Sequence, residues 1–117
     1  MDNFWMKEPQ EHDFPAATDY LELLFSIEET KAIVNNLQHA LTITKAAKDI
    51  LRASSLTLLP ENNIHVKENM RKVKKGGRLS PILLVKHDYK LIIADGYHRM
   101  CAAYYLSEDL KIPCRLV

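Results

Sequence analysis

Asp95, Gly96, Tyr97, His98 and Arg99 stand in a row between an apolar run and a helix-forming stretch, and their types and order suit phosphate chemistry. An arginine offers a planar fork of donors that matches a phosphate. A histidine titrates near neutral pH, so it can hold an anion or move a proton. Gly96 can take backbone angles that other residues avoid. A helix beginning at Tyr97 would add free first-turn N–H groups and the positive end of its dipole at the same point. Each residue also has a plainer reading. Arg99 could form a surface ion pair, His98 could cap or pack, and Tyr97 could pack instead of donating its hydroxyl to a substrate. Asp95 could serve as N-cap of the helix, or could work catalytically or on Mg²⁺ beside a phosphate, its charge offset by the metal or by Arg99.

The elements that must position these residues can be read from periodicity. Residues 91–94 form an unbroken apolar run, as in a strand covered on both faces. From residue 97 a helix is predicted, with Tyr97, Cys101 and Tyr105 on one face and Ala102 and Ala103 allowing close approach to a sheet. Residues 81–85 read as another apolar strand, and the polar link 86–90 suits a hairpin. Residues 110–116 alternate as a half-buried strand, and Pro113 points to an edge position because it cannot donate to a ladder.

Upstream, residues 61–63 read as a turn and helix start, followed by the stripe Val66, Met70 and Val73 and ended by Gly76-Gly77. The basic run 71–78 is favourable at a helix C-terminus, and a polyanion-binding patch is the alternative. It lacks interleaved aromatics that would stack bases. Residues 1–15 read as an extended arm, with Trp5 pinning it to the body. Residues 16–25 look helical. Ser26 and Glu29 match a capping box ahead of a helix running to about residue 39. Residues 41–44 are ambiguous, 45–53 look helical, and 56–59 suit a short strand closed by Pro60.

The 117 residues make one domain, with 1–57 as a helical extension and 58–117 as the core. Hydrophobic content of 47% and charged content of 26% are those of a globular protein. A net charge of +1 gives no global pull toward nucleic acid or an anionic membrane. No apolar run approaches the roughly 20 residues that span a bilayer. The acidic beginning lacks a signal-peptide core, so a cytoplasmic location is expected. Cys101 and Cys114 read as buried thiols of a reducing compartment, without metal-site spacing.

The order 79-LSPILLV, 91-LIIADGYHR, 102-AAY and 112-IPCRLV resembles the ParB/sulfiredoxin superfamily over residues 58–117. The resemblance implies an α/β (α+β) fold: a small mixed sheet with a packed Gly-x-His-Arg helix. It implies binding of ATP or another nucleotide, with phosphates on Gly96, Tyr97, His98 and Arg99 and further contacts from positions matching His65, Glu68 and Lys72. Tyr97 stands where sulfiredoxins carry their catalytic cysteine, so that chemistry is not expected here. Free serine kinases of the superfamily carry a similar Asp-Gly-His-His-Arg run and an acidic base before the preceding helix, for which Glu61 is the nearest match. Partition ParB proteins add Arg-rich motifs and a helix-turn-helix domain, which this chain lacks. The reading that follows is a nucleotide-dependent phosphotransferase acting on a small molecule, with Mg²⁺ on the phosphates, His98 and Asp95 at the reacting group and Glu61 or Glu68 taking the acceptor's proton. The alternative is a nucleotide- or nucleic-acid-binding regulatory module without turnover. A homodimer suits the Leu- and Phe-rich N-terminal helices.

Overall fold

The structure, a computed structural model, describes residues 4–117, so the first three residues of the expected arm lie outside it. Five helices and a four-stranded mixed sheet form an α+β domain. The elements are α1 (Asp13–Leu21), α2 (Ile27–His39), β1 (Ile43–Ala46), α3 (Ala47–Ser54), α4 (Ile64–Lys74), β2 (Ile82–His87), β3 (Lys90–Asp95), α5 (Tyr97–Leu106) and β4 (Lys111–Leu116). No helix among the described residues is long and apolar enough to cross a membrane.

The apolar run 82–85 is explained by a sheet covered on both faces. Ile82 and Leu84 join Ile50, Val66, Met100 and Ile112 in one core, while Leu83 and Val85 join Ala17, Leu21 and Leu37 in the other. Alternation within the strand sorts these side chains to opposite faces. Helices α1 and α2 therefore cover one face, and α3, α4 and α5 the other. Residues from 1–57 contribute to both cores, so that half is built into the same body as the rest.

Local signals account for several element ends. Ser26 and Glu29 exchange reciprocal bonds at 3.0 and 3.1 Å, the expected capping box. Asn63 accepts from the amides of His65 and Val66 at the start of α4. Gly76, at φ 83°, ends α4 with paired bonds from Gly76 N to Val73 O and from Gly77 N to Lys72 O. The hairpin between β2 and β3 turns on Asp88 and Tyr89, both at positive φ, as a two-residue type I′ turn requires.

Four expectations need correcting. Strand order is β1-β4-β2-β3, so β4 is an inner strand and Pro113 is not at an edge. The parallel ladder with β2 begins at Cys114, one residue past the proline, so its missing N–H leaves no gap there. The ambiguous stretch 41–44 contributes to β1, which runs into Ala46 before α3 begins. Residues 56–59 form no strand. Finally, α1 starts at Asp13, which shortens the arm, and places Pro15 in the first turn where a proline costs little. Trp5 does pin the arm: it is buried and bridges to Leu79, with Phe4 O and Met6 N bonded to Leu79 at 2.7 Å each.

Arg115 ties the ends of this frame together. From β4 its guanidinium donates to the carbonyls of Leu37 and Gln38 at the close of α2, to Thr42 Oγ1, and to Glu8 Oε1 at 2.6 Å. It is buried, and these carbonyls are among the last of α2, which lack partners within the helix. Arg115→Ala is expected to cost about 3 kcal/mol in urea unfolding, and Arg115→Lys to recover only part of it, because one ammonium cannot span four acceptors.

Candidate functional site

The turn from β3 into α5 depends on Gly96. Its φ of 108° lies in the left-handed region, and a Cβ there would sit 2.6 Å from Ile82 Cδ1 and 2.9 Å from Arg99 Nη2. Both backbone and space require glycine. Gly96 is itself the N-cap, and no side chain caps the helix. The N-cap role considered for Asp95 is thus not taken up, and the first-turn amides of Tyr97, His98 and Arg99 have no side-chain acceptor. Met100 N makes the first intrahelical bond, to Gly96 O at 2.9 Å.

Helical phase separates the two cationic residues, since neighbours on a helix point about 100° apart. Arg99 turns back toward the sheet. Its Nε donates to Ser80 O at 3.0 Å, and Nη2 donates to Pro81 O at 3.2 Å and to Asp95 Oδ2 at 3.0 Å. Arg99 and Asp95 are 17% and 18% exposed, so the ion pair is largely shielded from water. Nη1 makes no bond among the described residues. Burial pushes the Asp95 carboxyl above its ordinary value, Arg99 pulls it down, and Asp13 pushes it up again.

Asp13 was not foreseen. It is 2% exposed in the first turn of α1 and accepts from Gln10 N at 2.9 Å, with His12 Nε2 at 3.5 Å from Oδ1. Reading 1–15 as an arm hid it. The usable signal was an acid two residues before Pro15, the pattern of a helix first turn.

His98 turns the other way, toward α4. Its ring lies edge-on to that of His65, centroids 4.9 Å apart. His65 Nδ1 is 3.3 Å from Glu68 Oε1. Burial first, then the neighbouring His65 and Arg99, hold His98 below the usual imidazole range, so it favours the neutral form. Lys72, the third of the expected trio, does not join them in any bond. Its stem lies over Gly77, where an added Cβ would meet Lys72 Cγ at 2.6 Å.

Tyr97 does not present its hydroxyl to a substrate. It donates to Thr57 O, and one face further along α5 Tyr105 donates to Leu59 O at 2.6 Å. Cys101, on the same face, is buried, which pushes its thiol up. Cys114 is likewise pushed up to about 11 by burial. Both behave as core side chains.

Glu61 stands apart from this turn. It lines a cleft of about 520 Å³ with Asn62, Lys67, Met70, Arg71 and Lys74, and Asp95, His98 and Arg99 contribute no wall to it. Asp95 Oδ2 is bound to a guanidinium, and no group of three His, Cys, Asp or Glu side chains among the described residues could hold a metal ion by itself. The arrangement can therefore do two things. The Arg99–Asp95 pair fixes the turn, and the first-turn amides of α5 present N–H donors that no side chain accepts from.

No protein-family model, curated protein or solved structure matches the chain.

The bonding pattern makes Arg99→Ala a stability mutant, expected to lose about 3 kcal/mol by leaving two carbonyls and a buried carboxylate unpaired. Asp95→Asn keeps an acceptor without the charge and should cost less than about 1 kcal/mol. The double variant should be more stable than Arg99→Ala alone. Because the folded Asp95 is raised above its ordinary value, its favourable contribution is present below that value and lost as pH rises through the folded value. The Arg99→Ala deficit should therefore shrink in acid. Urea titrations of the three variants across that range check all of this.

Proposed function

We propose that the chain is a ParB/sulfiredoxin-like module that binds the phosphate group of a nucleotide at the first turn of α5 and does so without turnover. One observation carries the reading: Gly96 leads into a helix whose first-turn amides are uncapped by any side chain, and His98 of that same turn has its ring in contact with that of His65. A phosphate oxygen accepting from these amides would also draw a proton onto His98 and become its charge partner. Arg99 contributes differently from the expectation for its motif. Its charge is already offset by Asp95, so it holds the turn in shape and leaves only Nη1 for a ligand.

The positions of the carboxylates support binding without turnover. Phosphoryl transfer to an acceptor needs a base within hydrogen-bond reach of the attacking hydroxyl and charge stabilisation at the transferring group. Glu61 opens onto the cleft beside Lys67 and Arg71, and Asp95 is held by Arg99. Glu68 is the carboxylate nearest the imidazoles, and it faces His65. Neither Glu61 nor Asp95 thus offers a free carboxylate to the turn.

The test is calorimetry of ATP, ADP, GTP and CTP, with and without Mg²⁺, on the wild type and on His98→Gln. Arg99→Ala is a poor probe, since it loosens the fold. His98 is held low, so it must gain a proton to pair with a phosphate; affinity for at least one nucleotide should rise severalfold as pH falls below the ordinary imidazole value. His98→Gln should weaken binding and flatten this pH dependence. Chromatography of the nucleotide after incubation should return it unchanged. Absence of any heat with every nucleotide at both pH extremes would sink the proposal, and product formation would return the phosphotransferase reading.

A further inference from the structure

Strand β3 is an edge of the sheet among the described residues. His87 and Lys90 flank the two-residue turn and form its closing hydrogen-bonded pair. Alternation then makes Leu91 opposite Lys86 and Ile93 opposite Leu84 the pairs not bonded to β2. The N–H and C=O groups of Leu91 and Ile93 therefore point away from the sheet, and no other backbone group among the described residues bonds to them. Sheets blunt such edges or use them to take another strand.

Here the edge forms the floor of a groove of about 300 Å³. Tyr20, Leu24 and Phe25, where α1 ends, form one wall, and Leu56, just past α3, belongs to the other. Tyr20 and Leu24 are 43% and 51% exposed, an apolar surface left facing water. We infer that this groove receives a single extended, apolar segment of a partner protein, which adds to β3 as a fifth, antiparallel strand and carries an acidic residue at its C-terminal end.

Strand geometry and charge each bear on the occupant. Unpaired main-chain groups at alternate residues call for an extended strand, and a helix, whose main-chain groups bond internally, could not satisfy them. Walls on both faces of the edge favour one strand over another sheet. The charge comes from Lys90. His87 and Asp88 at the hairpin end are 3.2 Å apart, whereas Lys90 has no carboxylate partner among the described residues. An antiparallel strand lays its C-terminal end against Lys90, which begins β3.

The experiment uses amide hydrogen exchange of the isotope-labelled chain, with the probe acetyl-Val-Thr-Val-Thr-Val-Glu-amide. In the free chain the amides of Leu91 and Ile93 should exchange quickly and that of Ile92 slowly. Added probe should protect Leu91 and Ile93 in a saturable way. A probe with proline in place of both threonines, and one with proline in place of the second and third valines, remove donors from opposite sides of the strand; only one of the two should still bind. Leu24→Asp, at an exposed wall position, should abolish protection, and Lys90→Glu should weaken it about three-fold and favour a lysine-ended probe. No protection at millimolar probe overturns the inference. So does protection of Leu91 and Ile93 in the free chain that grows with protein concentration, which would assign the groove to a second copy.

Discussion

One arginine sets the geometry on which the candidate site depends. Arg99 reaches from the first turn of α5 to two carbonyls just ahead of β2 and to the carboxylate that ends β3. Three chain segments are thereby held to one guanidinium plane, in a fork that a lysine could not reproduce. Gly96 is the counterpart of this bond set. The guanidinium lies in the space that a side chain on Gly96 would fill, so glycine and arginine at a spacing of three form one device. Arg115 plays the same part elsewhere, taking the carbonyls that α2 leaves open.

An arginine used in this way is no longer a free positive charge. In the proposed binding mode the charge that meets a phosphate comes from His98, and it is conditional on pH. The first-turn amides supply a permanent but weaker attraction. His65 makes the condition stricter, because the neighbouring ring helps hold His98 below its ordinary value. In that binding mode anion affinity would be set by proton concentration.

Much of the fold was legible because local chemistry and tertiary structure agree. The capping box, the glycine pair after α4, the apolar runs of β2 and β3 and the turn at Gly96 each have a cause within a few residues. What was misread depended on partners distant in sequence. Pro113 sits in an inner strand because the β2 ladder starts beyond it, a fact of register that no local pattern carries. Residues 56–59 have strand-like composition, yet their carbonyls bond to tyrosine hydroxyls some forty positions away. At the site, the residue types were readable and their directions were not. His98 and Arg99 are neighbours in the chain and address different parts of the molecule. Asp13 acts on Asp95 from a helix that looked like an arm.

The two tyrosine hydroxyls have a consequence for which changes this chain can tolerate. They grip Thr57 and Leu59 from positions eight apart on α5, so the connector between α3 and α4 is strapped at two points. Surface connections ordinarily accept insertions and deletions with little penalty. This one behaves as a ruler. Adding or removing one residue between Leu59 and Asn63 would set the altered link against the burial of Val66 in the core and the contact of His65 with His98. The spacing of this connector thus measures out the distance between the two imidazoles, and its length carries as much information as its composition.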